Sequence, residues 1–348
     1  MPLRIRDAGR IRRLMIRSAN WIGDAVMTTP AICDIRRHFP KARITLLAKP
    51  WVSPLFEGSA HVDEIMIYDT IGRHRGISGF MNLIADIRKY RFEAAILFQN
   101  AFEAAVIPFL ARIPQRIGYP TDGRGLLLTH RVPIPLDFNA MHQVAYYKGI
   151  LEGIGIKTES KELHVQVKKS DSLRAEDLLR RCGADPQERI VGINFGAAYG
   201  PAKQWPIERF AGLADRIHDH FGCRIVLFGA PRDRAAGEDL KKRMKSPAIN
   251  IAGKTELGEA IALIRRCDLF ITNDSGLMHI ASALKVPLVA IFGSTNPWVT
   301  GPWNCKGKLV RYPISCSPCL EPICPEGHLK CMTRIEVETV YDAVKELL

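Results

Sequence analysis

No run of apolar residues approaches the roughly 20 that a helix needs to span a bilayer, so the chain offers no candidate spanning helix. It has no low-complexity tract and no internal period that would mark a solenoid array. The opening residues, Met1–Arg13, are basic but contain no apolar signal core, so a cytoplasmic location is expected. Acid is the scarce charge: 36 Asp and Glu stand against 49 Lys and Arg, a formal net charge of +13. Such an excess favours anionic partners. The basic residues are scattered and no nucleic-acid-binding module accompanies them. A phosphorylated substrate or an anionic membrane surface therefore ranks above nucleic acid.

What the chain does contain is enough material for two domains. At 348 residues it exceeds one ordinary core, and 47% hydrophobic with 24% charged residues is a soluble globular composition. Short β-branched runs alternate with stretches of helical periodicity. Strands are predicted at 14–17, 43–48, 64–68 and 94–98, with helices over 24–38 and 79–90. Gly and Pro loosen the pattern between Ile113 and Phe138, then a helix over 141–154 leads into a polar connection at 155–169. Further strands are predicted at 190–194, 224–228, 249–252, 269–272 and 287–292. Helices are predicted at 206–221, 232–244, 257–266, 276–284 and 335–348. Alternation of this kind implies α/β architecture with parallel sheets, whose ligands bind outside the carboxyl ends of the strands. The expected division is 1–165, 166–334 and a final helix over 335–348 that packs back toward the first domain.

The most informative segment follows the strand Leu269–Thr272. Asn273-Asp274-Ser275-Gly276 breaks the strand and opens a helix, with Asp274 or Ser275 placed to cap it. Free N–H groups and the helix dipole make this an anion site, and Gly276 lets a ligand approach the backbone. Read alone, it is also an ordinary helix cap.

Its context is longer. Asp274-Ser275-Gly276-x-x-His279-x-Ala281-x-Ala283 is followed by Val286-Pro287 and by Phe292-Gly293-Ser294-Thr295-Asn296-Pro297. Near the start, Asn20-Trp21-Ile22-Gly23-Asp24 turns a strand into a helix, with Thr28-Thr29-Pro30 one turn on. Between them, Asn194 to Pro206 reads Asn-Phe-Gly-Ala-Ala-Tyr-Gly-Pro-Ala-Lys-Gln-Trp-Pro. Together these resemble the ADP-heptose:lipopolysaccharide heptosyltransferase family. The resemblance implies a GT-B type fold, two doubly wound Rossmann-like domains facing a central cleft. It implies an N-terminal acceptor domain and a C-terminal donor domain. The C-terminal segment, Cys316-Ser317-Pro318-Cys319 with Cys324, His328 and Cys331-Met332, resembles the branch that adds the second heptose.

The resemblance implies an inverting transfer of heptose from ADP-heptose to a phosphorylated lipid A–Kdo–heptose acceptor, with no cofactor required. Asp24 is the candidate base that takes the acceptor's proton, with Gly23 beside it; an N-cap role is the alternative. Lys203 is the candidate cation for the leaving diphosphate. Ser275, Gly276, His279, Ala197, Ala198 and Thr295 are candidate donor contacts, with Asp274 suited to ribose hydroxyls and Asp233 to adenosine. Arg17, Arg73 and Arg75, with His74, are candidates for acceptor phosphates. Peripheral contact with the cytoplasmic face of the inner membrane is expected. Another GT-B nucleotide-sugar enzyme, an epimerase included, and a non-catalytic polyanion-binding protein are the competing readings.

Five of the nine cysteines (Cys33, Cys182, Cys223, Cys267, Cys305) are dispersed, as in a reduced compartment. Cys316-x2-Cys319-x4-Cys324-x6-Cys331 is compact enough for a structural zinc, with His328 able to replace one thiolate. Packed, reduced thiols are the other reading of that cluster.

Overall fold

The computed structural model describes residues 8–348, and Met1–Asp7, most of the basic opening segment, lie outside it. The chain divides into two compact units, one ending at Gln166 and one spanning Val167–Leu348.

The first unit runs β1 (Arg13–Arg17), α1 (Ile22–Met27), α2 (Thr29–His38), β2 (Arg43–Ala48), β3 (Glu64–Ile67) and α3 (Gly76–Tyr90). It continues through β4 (Ala94–Leu97), α4 (Phe102–Leu110), β5 (Gln115–Gly118), β6 (His130–Arg131) and α5 (Gln143–Glu152). All strand pairs are parallel, in the order β3-β2-β1-β4-β5-β6. The central strands are buried, β1 and β2 beyond their first residue, as expected where helices cover both faces of a parallel sheet.

The second unit repeats the plan. It comprises α6 (Lys169–Arg181), β7 (Ile190–Asn194), α7 (Ile207–Phe221), β8 (Arg224–Phe228), α8 (Arg234–Arg243), β9 (Ala248–Asn250) and α9 (Leu257–Arg266). Then come β10 (Leu269–Asn273), α10 (Gly276–Ala283), β11 (Leu288–Phe292), α11 (Pro297–Thr300), β12 (Gly307–Arg311), α12 (Lys330–Thr333) and α13 (Val337–Lys345). Its parallel order is β12-β11-β10-β7-β8-β9. Counted from its own first strand, each sheet has the order 3-2-1-4-5-6 of a dinucleotide-binding fold. Strand order reverses between β1 and β4 in one unit and between β7 and β10 in the other. The carboxyl ends of those four strands are where such folds bind ligands.

Two departures from the sequence pattern have local causes. The periodic stretch 24–38 is two helices, because Pro30 has no N–H for the carbonyl of Val26; the Thr29 hydroxyl donates to that oxygen at 2.6 Å instead. The last helix, expected to reach toward the first domain, buries Val340, Tyr341, Ala343 and Val344 in the core of the second unit, against α7. Among the described residues no helix is long and apolar enough to cross a membrane.

Candidate functional site

In the second unit, both strands at the reversal end in a buried asparagine, and each asparagine ties down loops around the point. Asn273, closing β10, donates to the Phe195 carbonyl at 2.7 Å and accepts from the Trp205 N–H at 3.1 Å. It thereby holds both ends of the loop that follows β7. Asn194, closing β7, donates to Ser275 Oγ at 2.9 Å and to Thr272 Oγ1 at 3.0 Å. Trp205 is 2% exposed and its indole N–H donates to the Ile335 carbonyl at 2.9 Å, which anchors the loop in the core.

That loop carries Lys203 to the start of α10. Its ammonium lies 2.5 Å from Asp274 Oδ2 and 4.7 Å from the centre of the Tyr199 ring. Thr295, beyond β11, donates to the same Asp274 oxygen at 2.6 Å. The side chains of Lys203 and Asp274 are only 13% and 5% exposed, so this is a largely desolvated ion pair. Ser275 occupies the N-cap position of α10, yet its side chain makes no capping bond. The first turn of α10 therefore gets no side-chain cap from Ser275, and N–H groups there suit an anion. His279 follows within the same helix and is buried.

The Asp274 carboxylate thus orients Lys203. Asp233 accepts from the Ala230 N–H at 2.8 Å and packs on Gly196, where a Cβ would stand 2.5 Å from its Oδ2. It closes the turn after β8 against the loop after β7. Ala197 is buried and Ala198 exposed on that loop.

In the first unit, Asp24 lies in the first turn of α1 but is not its cap, since Trp21 holds that position. The Tyr147 hydroxyl, from α5, donates to Asp24 Oδ1 at 3.1 Å. Burial and the neighbouring Asp24 push the Tyr147 pKa well up, so the phenol stays a donor. The turn into α1 is fixed by Asn20: it accepts from Arg17 at 2.9 Å through its side chain, accepts from Trp51 Nε1 at 2.9 Å through its carbonyl, and donates to Gln99 at 3.2 Å.

Arg17 does not present itself to a phosphate. It is 1% exposed, donates to the Ser18 carbonyl at 2.8 Å and to Asn20, and burial lowers its pKa to about 10. It shapes the turn that carries Gly23 and Asp24. Arg73 pairs with Asp86 at 2.6 Å while its side chain remains 70% exposed. Arg75 is exposed ahead of α3, and His74 is buried, its Nδ1 accepting from the Asp69 N–H at 3.1 Å.

The cysteine-rich segment abuts the Lys203 loop. The Pro322 carbonyl accepts from the Ala202 N–H at 3.1 Å, and Tyr199 donates to the Leu320 carbonyl at 2.5 Å. Among the described residues, the three potential ligands whose atoms all lie within 4.8 Å of one another are Cys33, His61 and His164 in the first unit. The C-terminal cysteines do not form such a group.

With this geometry in place, the chain can be compared with known proteins. Residues 80–330 match the profile of glycosyltransferase family 9 (heptosyltransferase). The chain belongs to that family. It is 30% identical over 345 residues to lipopolysaccharide heptosyltransferase 2 of Escherichia coli (strain K12), covering 97% of this chain and 98% of that one. The crystal structure of a glycosyl transferase family 9 protein from Veillonella parvula superimposes with a TM-score of 0.86 at 27% identity, covering 97% of each chain. E. coli ADP-heptose lps heptosyltransferase II gives 0.80 at 28% identity, covering 96% of this chain and 98% of that one. The protein is a glycosyltransferase with the α/β architecture of GT-B heptosyltransferases.

For a family 9 glycosyltransferase, several residues at these strand ends escaped the sequence reading. Asn194 and Asn273 carried a usable signal, an amide closing an otherwise apolar strand. Lys49, Tyr68, Glu103 and Tyr147 carried none. Lys49, just past β2, is buried with its ammonium 3.6 Å from the centre of the Tyr68 ring. Burial, then Arg17, lowers its pKa to about 8, opposed by Glu103 and Asp69.

Two predictions follow from these charges. Replacing Lys203 by Ala leaves Asp274 buried without its counter-charge and should cost roughly 3–5 kcal/mol in denaturant unfolding of the second unit. A Lys203→Met/Asp274→Leu double variant should recover most of that loss, and a cost below about 1 kcal/mol for the single change contradicts the pairing. A lowered lysine pKa penalises the folded state fully below pH 8, and the penalty fades as pH rises from 8 to the ordinary 10.5. Lys49→Met should therefore gain stability over wild type at pH 7 and lose that advantage near pH 10.5. An advantage that does not change across this window argues against a strained charge.

Proposed function

We propose that this family 9 glycosyltransferase moves heptose from ADP-heptose to the inner core of lipopolysaccharide, adding the second heptose. The observation that carries the reading is the buried Lys203–Asp274 pair set beside the uncapped start of α10, at the strand-order reversal of the second sheet. A cation and a helix N-terminus side by side suit a nucleoside diphosphate. The relatives that are similar over nearly the whole chain bear names that state an ADP-heptose donor and a lipopolysaccharide acceptor.

On this reading the acceptor hydroxyl attacks the anomeric carbon as its proton passes to the Asp24 carboxylate. The new C–O bond forms on the face opposite the departing ADP, so the configuration inverts. The electron pair of the breaking bond goes to the β-phosphate, where Lys203 and the N–H groups of Gly276 and its neighbours take up the charge. Asp274 and Thr295 hold Lys203 in place, and His279, Ala197 and Ala198 border the diphosphate. Asp233 fixes the adenosine-side loop. Tyr147 donates to the Asp24 carboxylate and helps orient it.

The first unit takes the acceptor, with Gly23, Arg73 and Arg75 toward its phosphates. The segment after β3 also suits a lipid surface. Ile71 and Ile77 are 77% and 86% exposed and flank Arg73 and Arg75. Exposed apolar side chains on either side of arginines suit an anionic bilayer interface.

Asp24→Asn should lower transfer from ADP-heptose by about 10²-fold or more while ADP affinity stays near wild type. Near-normal turnover overturns the base assignment, and a preference for UDP-sugars overturns the donor. Acceptors bearing no heptose or one heptose test the position: activity on the bare acceptor points to the first transfer. In flotation with anionic vesicles, Ile71→Asp/Ile77→Asp should bind about 10-fold more weakly than wild type. Equal binding by wild type and variant removes the surface proposed.

A further inference from the structure

Four cysteines of the C-terminal segment face one place. Cys316, Cys319, Cys324 and Cys331 line a single small pocket together with His328, Ala202 and Ser294. All four are free thiols. Backbone N–H groups of Leu329, Glu326, His328 and Gly327 lie around Cys324, a nest that suits an anionic sulfur. Gly327 supplies the left-handed turn this nest needs, at φ 67°.

The segment is also held in a conformation that its residues do not favour. Leu320 and Leu329 both adopt left-handed backbone angles, at φ 62° and 50°. Such angles are unfavourable for a residue with a side chain, so the surroundings must impose them. Some of those surroundings are visible. Leu320 N–H donates to the Ser294 carbonyl at 2.7 Å, and Ser317 Oγ donates to the Gly293 carbonyl at 2.7 Å. Pro322 sits against Gly200, where a Cβ would stand 2.3 Å from its carbonyl oxygen. The pocket is thus built between the strand-end loop after β11 and the loop that carries Lys203.

We propose that the four sulfurs bind one thiophilic divalent cation, zinc being the occupant that a set of four thiolates favours. The sulfurs bind as thiolates, their protons pass to solvent, and no redox change occurs. The tighter trio of Cys33, His61 and His164 is the poorer host, because it brings together three ligand atoms where a closed structural site takes four. The cation would lock the cysteine segment onto Gly200 and Ala202 and so fix the approach of Lys203. That consequence rests on the donor reading above, whereas the metal site does not.

Elemental analysis of the full-length protein, purified without a metal-affinity tag, tests the site directly. The expected result is about one zinc per chain, released in step with mercurial titration of four thiols. Cys319→Ser and Cys324→Ser should each lose the zinc, and Cys33→Ser should keep it. Zinc far below stoichiometry, even after incubation with zinc under reducing conditions, overturns the proposal. So does zinc that survives in the first two variants and is lost from Cys33→Ser. Should the variants fold poorly, chelation of the wild-type protein serves: Tm should fall by several degrees and return on adding zinc, and an unchanged Tm contradicts the site. If zinc is present, its removal should raise the donor KM several-fold with little change in kcat; unchanged kinetics with bound zinc would sink the donor-loop consequence alone.

Discussion

A lysine and an aspartate held together away from water organise the second unit. Desolvating two charges is costly, and the cost is offset only when geometry is good and the remaining oxygens are satisfied. Here the geometry is supplied by strand ends. Asn273 fixes the loop that brings Lys203, β10 delivers Asp274, and Thr295 arrives from beyond β11 to share the same oxygen. Each contribution comes from the carboxyl edge of one parallel sheet. On the proposed donor reading, an arriving diphosphate would meet a lysine that is already placed and need not be ordered on binding.

The first unit uses buried charge in a related way. Arg17, Lys49 and Tyr68 crowd the ends of β1, β2 and β3, with Glu103 from α4 nearby. Arg17 shapes the Asn20–Asp24 turn from beneath, and the hydroxyl of Tyr147 holds the carboxylate of Asp24 from α5. Both units thus place a charged group at the strand-order reversal and stiffen it with a neighbour from another element.

Much of this plan was legible in the residues. Buried parallel strands announce themselves as apolar runs, and 43–48, 190–194 and 224–228 coincide with β2, β7 and β8. Short or polar strands do not: β5 reads Gln-Arg-Ile-Gly, β6 has two residues, and β12 is half exposed, so none shows an apolar run. Helix α6 was hidden for the same reason, because it buries only Asp171, Ala175 and Leu179. Motif spacing brought Asp24, Lys203 and the Ser275-Gly276 turn into view. It did not reveal that Asp274 serves Lys203 or that Arg17 lies inside, since both depend on contacts between residues far apart in the chain. The basic composition misled on Arg17 because sequence records charge without its depth.

The claim on which the account rests is that the loop after β7 and the start of α10 form one diphosphate site organised by Lys203. Backbone hydrogen exchange with and without ADP tests it most directly. The account predicts slowed exchange in residues 195–205 and 275–279 together, lost from both in Lys203→Met. Protection elsewhere in the second unit, or protection of one segment without the other, would contradict it.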